Sequence, residues 1–169
     1  RSVSRGLGDV YQRQPISDEP SLDDMENYEY AYNLIKDYLE DFKTLDAISN
    51  YEFYEKGYIK FPVVTTNHLD LFIKNKVENL WVYYCCAQHI DVSNKFFNMP
   101  SHRNRVLGMQ LFKYDIKGFL HWGYNFWYSQ FSKYPINPYL TSDAGCGFPS
   151  GDSYVVYPCL LYTSDAADD

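Results

Sequence analysis

No run of apolar residues in this chain is long enough to cross a bilayer, no stripe of lysine and arginine appears in it, and its four cysteines show neither C-x-x-C nor zinc spacing. The first absence leaves no transmembrane segment. The second, with 15 basic against 22 acidic side chains and a formal charge of −7, argues against nucleic acid or an anionic membrane surface as partner. Cys85 and Cys86 are adjacent and would face opposite sides of a strand, so with Cys146 they read as buried small hydrophobes and not as a disulfide framework. His68, His89, His102 and His121 lack HxH or HExxH spacing, so no metal centre and no cofactor is expected. An initiating Met and an apolar leader are also missing before Arg1, which suggests a piece of a longer polypeptide.

What the chain has instead is aromatic and apolar material. Of its 169 residues, 46% are hydrophobic, with 18 Tyr, 11 Phe and 3 Trp, enough for one sizeable core. Such a content fits either a tyrosine-rich core or an aromatic-lined sugar site. The last stretch breaks the pattern. CLLYTSDAADD, residues 159–169, has no periodicity and is similar to the translated end of an adapter used in sequencing libraries, so the native domain is expected to span 1–158. Without that tail the chain holds 19 acids against 15 bases, a charge of about −4.

Along the chain, strand-like and helix-like segments alternate. Ser21 with Asp24 resembles a capping box, and Met25, Tyr28, Tyr32, Ile35 and Leu39 follow at helical spacing. FKTLDAIS (42–49) reads as a short strand, followed by a Tyr/Glu-rich helical turn and by the β-branched run KFPVVTTNH (60–68). A helix over 69–76 leads to NLWVYYCCAQ (79–88), apolar nearly throughout, as a strand covered on both faces should be. A helical stripe over 101–116 ends before Gly118, and GFLHWGYNFW (118–127) is the last strong strand. Residues 128–157, rich in Pro, Gly, Ser and Tyr, read as a long loop and a short strand covering the rim of a site. The order implies an α/β fold of parallel βα units. About five parallel strands with helices make it the C-terminal portion of a (β/α)8 TIM barrel, incomplete at the N-terminus, since a whole barrel takes about 250 residues. An incomplete sheet would leave an open edge, so the isolated piece is expected to be poorly soluble and inactive.

Catalytic groups of a barrel sit where strands end, and here those ends read Asp18 and Glu19, Asp46, Asn67 and His68, Gln88, and His121 to Asn125. QPISDEPSLDDM (14–25) is the informative stretch. Neighbouring side chains of a regular strand diverge, so Asp18 and Glu19 can share one hollow only where the strand stops. Pro20 supplies that stop and biases Glu19 toward extended backbone. Asp23 and Asp24 fit the simpler role of charges favouring a helix N-terminus, whereas Asp18 and Glu19 precede the cap. Trp122 lies on an otherwise polar strand end, where its indole face suits a pyranose ring.

ISDEPS, DAISNYEFYE, LWVYYCCAQ, RNRVLGMQLFKYDIKGFLHWGYNFW and GDSYVVYP, in that order, resemble the catalytic barrel of glycoside hydrolase family 123, the β-N-acetylgalactosaminidases, over Tyr11 to Pro158. The resemblance implies a retaining enzyme acting on a glycan or glycoconjugate that carries N-acetylhexosamine. It implies a substrate-assisted reaction in which the acetamido oxygen of the sugar attacks the anomeric carbon and forms an oxazolinium ion. Matched by motif, Glu19 would be the general acid and then the base, and Asp18 would orient the acetamide N–H. Around them, Trp122 is expected as stacking platform, Tyr83, Tyr124 and Asn125 as hydrogen-bonding wall groups, and Asp46 as an acceptor for a sugar hydroxyl. The family also implies a signal peptide and a β-sandwich upstream, hence a secreted or periplasmic parent; the residues give no oligomeric state. Two other readings stay open: a glycan-binding barrel without catalysis, and a conventional two-carboxylate glycosidase in which Asp46 or Glu78 opposes Glu19.

Overall fold

The computed structural model describes residues 13–14, 16–38 and 43–158, so the expectations on Leu39 and on the tail 159–169 lie outside the described residues. The chain separates into two compact units: one holds the chain up to Tyr84 with Gly108–Leu120, the other Cys85–Leu107 and the residues from His121 onward.

In the first unit, β1 (Arg13–Gln14) leads through a 3-10 turn at Leu22–Asp24 into helix α1 (Met25–Ile35). The expected capping box is present: the Ser21 hydroxyl donates to Asp24 Oδ2 at 2.7 Å and the Ser21 amide to the same oxygen at 3.0 Å, which satisfies groups the helix start would leave open. Then come β2 (Lys43–Ile48), the short helix α2 (Glu52–Glu55), β3 (Phe61–Thr65), α3 (Asp70–Lys74) and β4 (Trp81–Tyr83). The helical stripe expected over 101–116 is two helices, α4 (Ser101–Arg105), which belongs to the second unit, and α5 (Leu107–Lys113), with the Val106 amide closing the first onto the His102 carbonyl. Asp115, at φ +55, ends the second, and the Ile116 amide reaches back to the Leu111 carbonyl at 2.9 Å. β5 (Gly118–Leu120) follows.

β2, β3, β4 and β5 form an α/β arrangement around a four-strand parallel sheet, each strand beside the next in chain order, and β1 lies parallel against the start of β2. Register sorts the side chains. Ile48, Val64 and Val82 are neighbours on one face, and Ile48 and Val64 join Tyr28, Phe53, Ile59, Phe72 and Leu80 in one buried cluster, each 0–3% accessible. Tyr28 meets Phe53 edge-on at 5.0 Å and Tyr51 meets Phe72 at 5.2 Å, so the tyrosine content here is core material. Each such side chain contributes roughly 1.5–3 kcal/mol by leaving water. The other face carries the row Ala47, Val63, Trp81, Gly118, in which small residues flank the one indole.

The strands are shorter than the apolar runs that announce them. The run 79–88 pairs only over Trp81–Tyr83, because the Cys85 amide donates to Gln88 Oε1 at 2.9 Å and Asn94 Nδ2 donates to the carbonyls of Cys85 and Gln88 at 3.0 and 2.7 Å. Side-chain amides there take the backbone groups that a further strand residue would have used. Cys85 and Cys86 therefore sit beyond the strand, not on its two faces; Cys85 is half-buried, and Cys86 and Cys146 are exposed, which corrects the expectation of three buried thiols. The run 118–127 is strand only to Leu120. Beyond it the second unit is held by single bridges, Asn125 to Tyr154 and Tyr128 to Pro135, where a short strand was expected.

Gly118 is required by Trp81: a Cβ built on it would stand 2.2 Å from two ring atoms of the indole. Gly118→Ala is expected to lower stability by roughly 1–3 kcal/mol through this overpacking, read as a shift of the urea midpoint. A Trp81→Leu background should remove most of the difference between glycine and alanine.

Candidate active site

At the end of β1 the chain bends through Ile16–Glu19, and Asp18 and Glu19 emerge exposed while the following Pro20 is buried. Glu19 does not take the extended backbone expected before a proline. Its φ is +46, in the left-handed region, where a residue with a Cβ costs on the order of 1–3 kcal/mol. A conformation of that kind persists only where its surroundings hold it, and the hold is visible.

Asp46, the fourth residue of β2, is 1% accessible. Its Oδ1 accepts the Ile16 amide at 2.8 Å and the Ser17 amide at 3.4 Å, and its Oδ2 accepts a short hydrogen bond from the Tyr28 hydroxyl of α1. One carboxylate thus ties β2, α1 and the bend that carries Asp18 and Glu19. Ile16 adds an apolar anchor by packing on the core cluster. Asp46 is turned into the protein, so its expected role as an acceptor for a sugar hydroxyl gives way to that of a fastening for the bend.

Burial pushes the Asp46 carboxyl up to about 6; the bonds from Tyr28, Ile16 and Ser17 pull the other way, and the nearby charge of Asp18 adds to the rise. Burial and the Asp46 charge push the Tyr28 phenol far above its ordinary value, so it stays a donor.

Among the other expected residues, Tyr83 closes β4 in register with Thr65 and Leu120 and is 6% accessible. Thr65 Oγ1 lies 3.1 Å from Ser49 Oγ at the same ends of the strands. Glu78 precedes β4, at the end of the sheet opposite to Asp18 and Glu19, and is exposed. It cannot face them across one sugar.

Trp122, Tyr124 and Asn125 belong to the second unit, as does Asp152, and are described within it. They line an open hollow of about 510 Å³ with Phe126, Trp127, Tyr128 and Ser132. Trp122 is 43% accessible and packs on Phe126 and Phe148 at ring distances of 5.3 and 4.9 Å. Its indole N–H donates to Asp152 Oδ2 at 3.2 Å. Tyr124 is 65% accessible, and its carbonyl accepts the Val155 amide at 2.9 Å. Asn125, also exposed, pairs with Tyr154 through the backbone.

Sequence reasoning missed Tyr28, Lys95 and Asp152. Asp152 stood in a quoted motif, GDSYVVYP, but nothing local marks it as buried: Trp122 is 30 residues away and Lys95 is 57.

Against this geometry stands a direct comparison. The family model for glycoside hydrolase 123, catalytic domain, matches residues 8–162. The chain belongs to that family. It is thus a glycosidase domain, whose reaction is hydrolysis of a glycosidic bond and whose substrate is a glycan. No curated protein matches the chain. Among the described residues no helix is long and apolar enough to cross a membrane.

The sign of the Asp46 effect on stability follows from its raised value. An unfolded aspartate ionises near pH 3.9, so between about pH 4 and 6 the unfolded chain has lost a proton that the folded chain keeps. The contribution is whole below about pH 4 and is lost as the pH rises through 6, by roughly 2–3 kcal/mol. Asp46→Asn should flatten that part of the profile, measured as urea midpoints at pH 4, 5, 6 and 7.

Proposed function

We propose that this domain is the later part of a (β/α)8 barrel and hydrolyses β-linked N-acetylgalactosamine, or a related N-acetylhexosamine, with retention and with help from the substrate's own acetamide. The observation that carries the reading is the adjacent, exposed pair Asp18 and Glu19 on a bend pinned by Asp46, in a chain of the glycoside hydrolase 123 family. Conventional retaining enzymes place two carboxylates about 5–5.5 Å apart on opposite sides of the sugar, one of them as nucleophile. The acids weighed for that second role favour it poorly: Asp46 is buried with both oxygens engaged, and Glu78 lies at the other end of the sheet. Neighbouring acids suffice where the sugar supplies the nucleophile.

In the proposed reaction Glu19 protonates the leaving glycosidic oxygen as the acetamido oxygen bonds to the anomeric carbon. Asp18 accepts from the acetamide N–H, orients the group and stabilises the positive charge that develops on it. Glu19, now ionised, then takes a proton from the water that opens the oxazolinium ring. On the second unit, Trp122 is proposed as an apolar platform for a sugar ring, with Tyr124 and Asn125 as polar groups lining the same hollow. Tyr83 is proposed as a wall group near the end of β4.

The test compares an aryl β-N-acetylgalactosaminide with the matching aryl β-galactoside, using the polypeptide that contains the whole barrel. Turnover is expected only for the sugar with an acetamide. Glu19→Gln should reduce kcat/KM by on the order of 10²–10⁴, and Asp18→Asn should reduce kcat with a much smaller effect on KM. Comparable hydrolysis of the galactoside would replace the mechanism with a conventional one. Undiminished turnover by Glu19→Gln would remove the assignment of the pair.

A further inference from the structure

In the second unit a buried carboxylate stands behind the exposed indole. Asp152 is 0% accessible; its Oδ2 accepts the Trp122 Nε1–H at 3.2 Å, and its Oδ1 lies 3.7 Å from His121 Nε2. His121 Nδ1 lies 3.1 Å from the Gly123 amide and 3.0 Å from the Gly123 carbonyl, which leaves Nε2 as the ring nitrogen facing Asp152. The carboxylate therefore has an indole donor on one oxygen and an imidazole edge near the other.

The segment that carries Asp152 is itself clasped. The Lys95 ammonium donates to the carbonyls of Asp152 and Tyr154, each at 2.9 Å, and to that of Gly151 through a shorter bond. Burial pushes the Lys95 amine down to about 8, and the Asp152 charge opposes the fall. Gly151, at φ +89, has no space for a side chain, since a Cβ would meet the Phe97 ring at 2.6 Å. Gly123 is equally bound to this segment: a Cβ there would be 2.4 Å from the Ser153 carbonyl oxygen.

We infer that Asp152 is a positioning residue for Trp122. It fixes the rotation of the indole about its side-chain bonds, so that one ring face is presented to the solvent-side hollow, and Lys95 fixes Asp152. Phe126 and Phe148 support the ring by contact, but rings meeting at 59° and 55° can slide; the hydrogen bond selects one orientation. The ligand class is a neutral pyranose with an apolar face. This assignment rests on the reading of Trp122 as the sugar platform, whereas its chemistry is independent of Asp18 and Glu19.

The experiment follows the indole N–H resonances of Trp81, Trp122 and Trp127 in the intact protein, with that of Trp122 identified by its loss in Trp122→Phe. Asp152→Ala is expected to move the Trp122 resonance alone, to speed its exchange with water, and to weaken N-acetylgalactosamine binding roughly tenfold. Asp152→Asn keeps an acceptor oxygen and the same shape, so it should shift the resonance less and recover most of the affinity. Lys95→Met should reproduce the Asp152→Ala shift without touching the bonded pair. A Trp122 resonance unmoved by Asp152→Ala overturns the inference, as does a shift shared equally by the other indoles or unaccompanied by lost affinity. An intact protein that binds no N-acetylhexosamine overturns the substrate reading instead, and the resonances still decide whether Asp152 holds the ring.

Discussion

The first unit turns on one buried carboxylate. Without Asp46, the Ile16 and Ser17 amides and the Tyr28 hydroxyl would lose a common acceptor. The balance of terms is informative. Hydrogen bonds to a charged group contribute about 1.5–3 kcal/mol each, and removing a carboxylate from water costs several kcal/mol. The Asp46 carboxyl rises to about 6 despite its bonds, so desolvation outweighs them for the charged form. Asp46 is therefore a poor source of stability near neutral pH and a good source of geometry. The same balance explains why the strained φ of Glu19 can be held: the amides before it are fixed from one side and Pro20 is buried on the other.

A second constraint is where strands stop. Parallel strands in this sheet end when side-chain amides or the backbone of a loop offer a better partner than the neighbouring strand. Gln88 and Asn94 end β4 in that way, and the segment after β5 takes its bonds from residues 153–155, with Phe126 donating to Ser153 and Val155 to Tyr124. Ends built by side chains leave the residues just beyond them in irregular backbone, where neighbouring groups can converge. Trp81 and Gly118 show the opposite case, a regular row in which volume alone decides the sequence.

Period and punctuation made the α/β order legible. The capping box at Ser21 and Asp24 and the stripe from Met25 to Ile35 correspond to α1, and the apolar runs at 42–49, 60–68, 79–88 and 118–127 each contain one strand. Strand ends were not legible, because apolar character continues past the last ladder bond. Tyr84 is buried at 2% yet lies outside β4, and Cys85 continues an apolar run while bonding to Gln88. In the candidate site, the bend that carries Asp18 and Glu19 was marked by Pro20 and a change of pattern. The job of Asp46 could not be named, since a carboxylate that accepts from a sugar and one that accepts from two amides read identically as a lone Asp after a β-branched stretch. Tyr28 looked like any other residue of a helical stripe; only its hydroxyl, buried beside β2, shows what it does.

Asp46 and Asp152 are the same device used twice. Each is buried almost completely, each takes a donor from a large aromatic side chain, and each stands behind an exposed group that bears on the substrate in the proposed reaction. They differ in what compensates the charge. Asp46 relies on two amides and a phenol, with Asp18 adding repulsion, whereas Asp152 has the Lys95 ammonium in its electrostatic surroundings. A proton on Asp46, whose carboxyl burial raises to about 6, weakens its charge-assisted grip on Ile16 and Ser17 while removing a negative charge from beside Asp18. The geometry of the bend and the electrostatics of the pair are thereby coupled through a residue that never needs to touch the sugar.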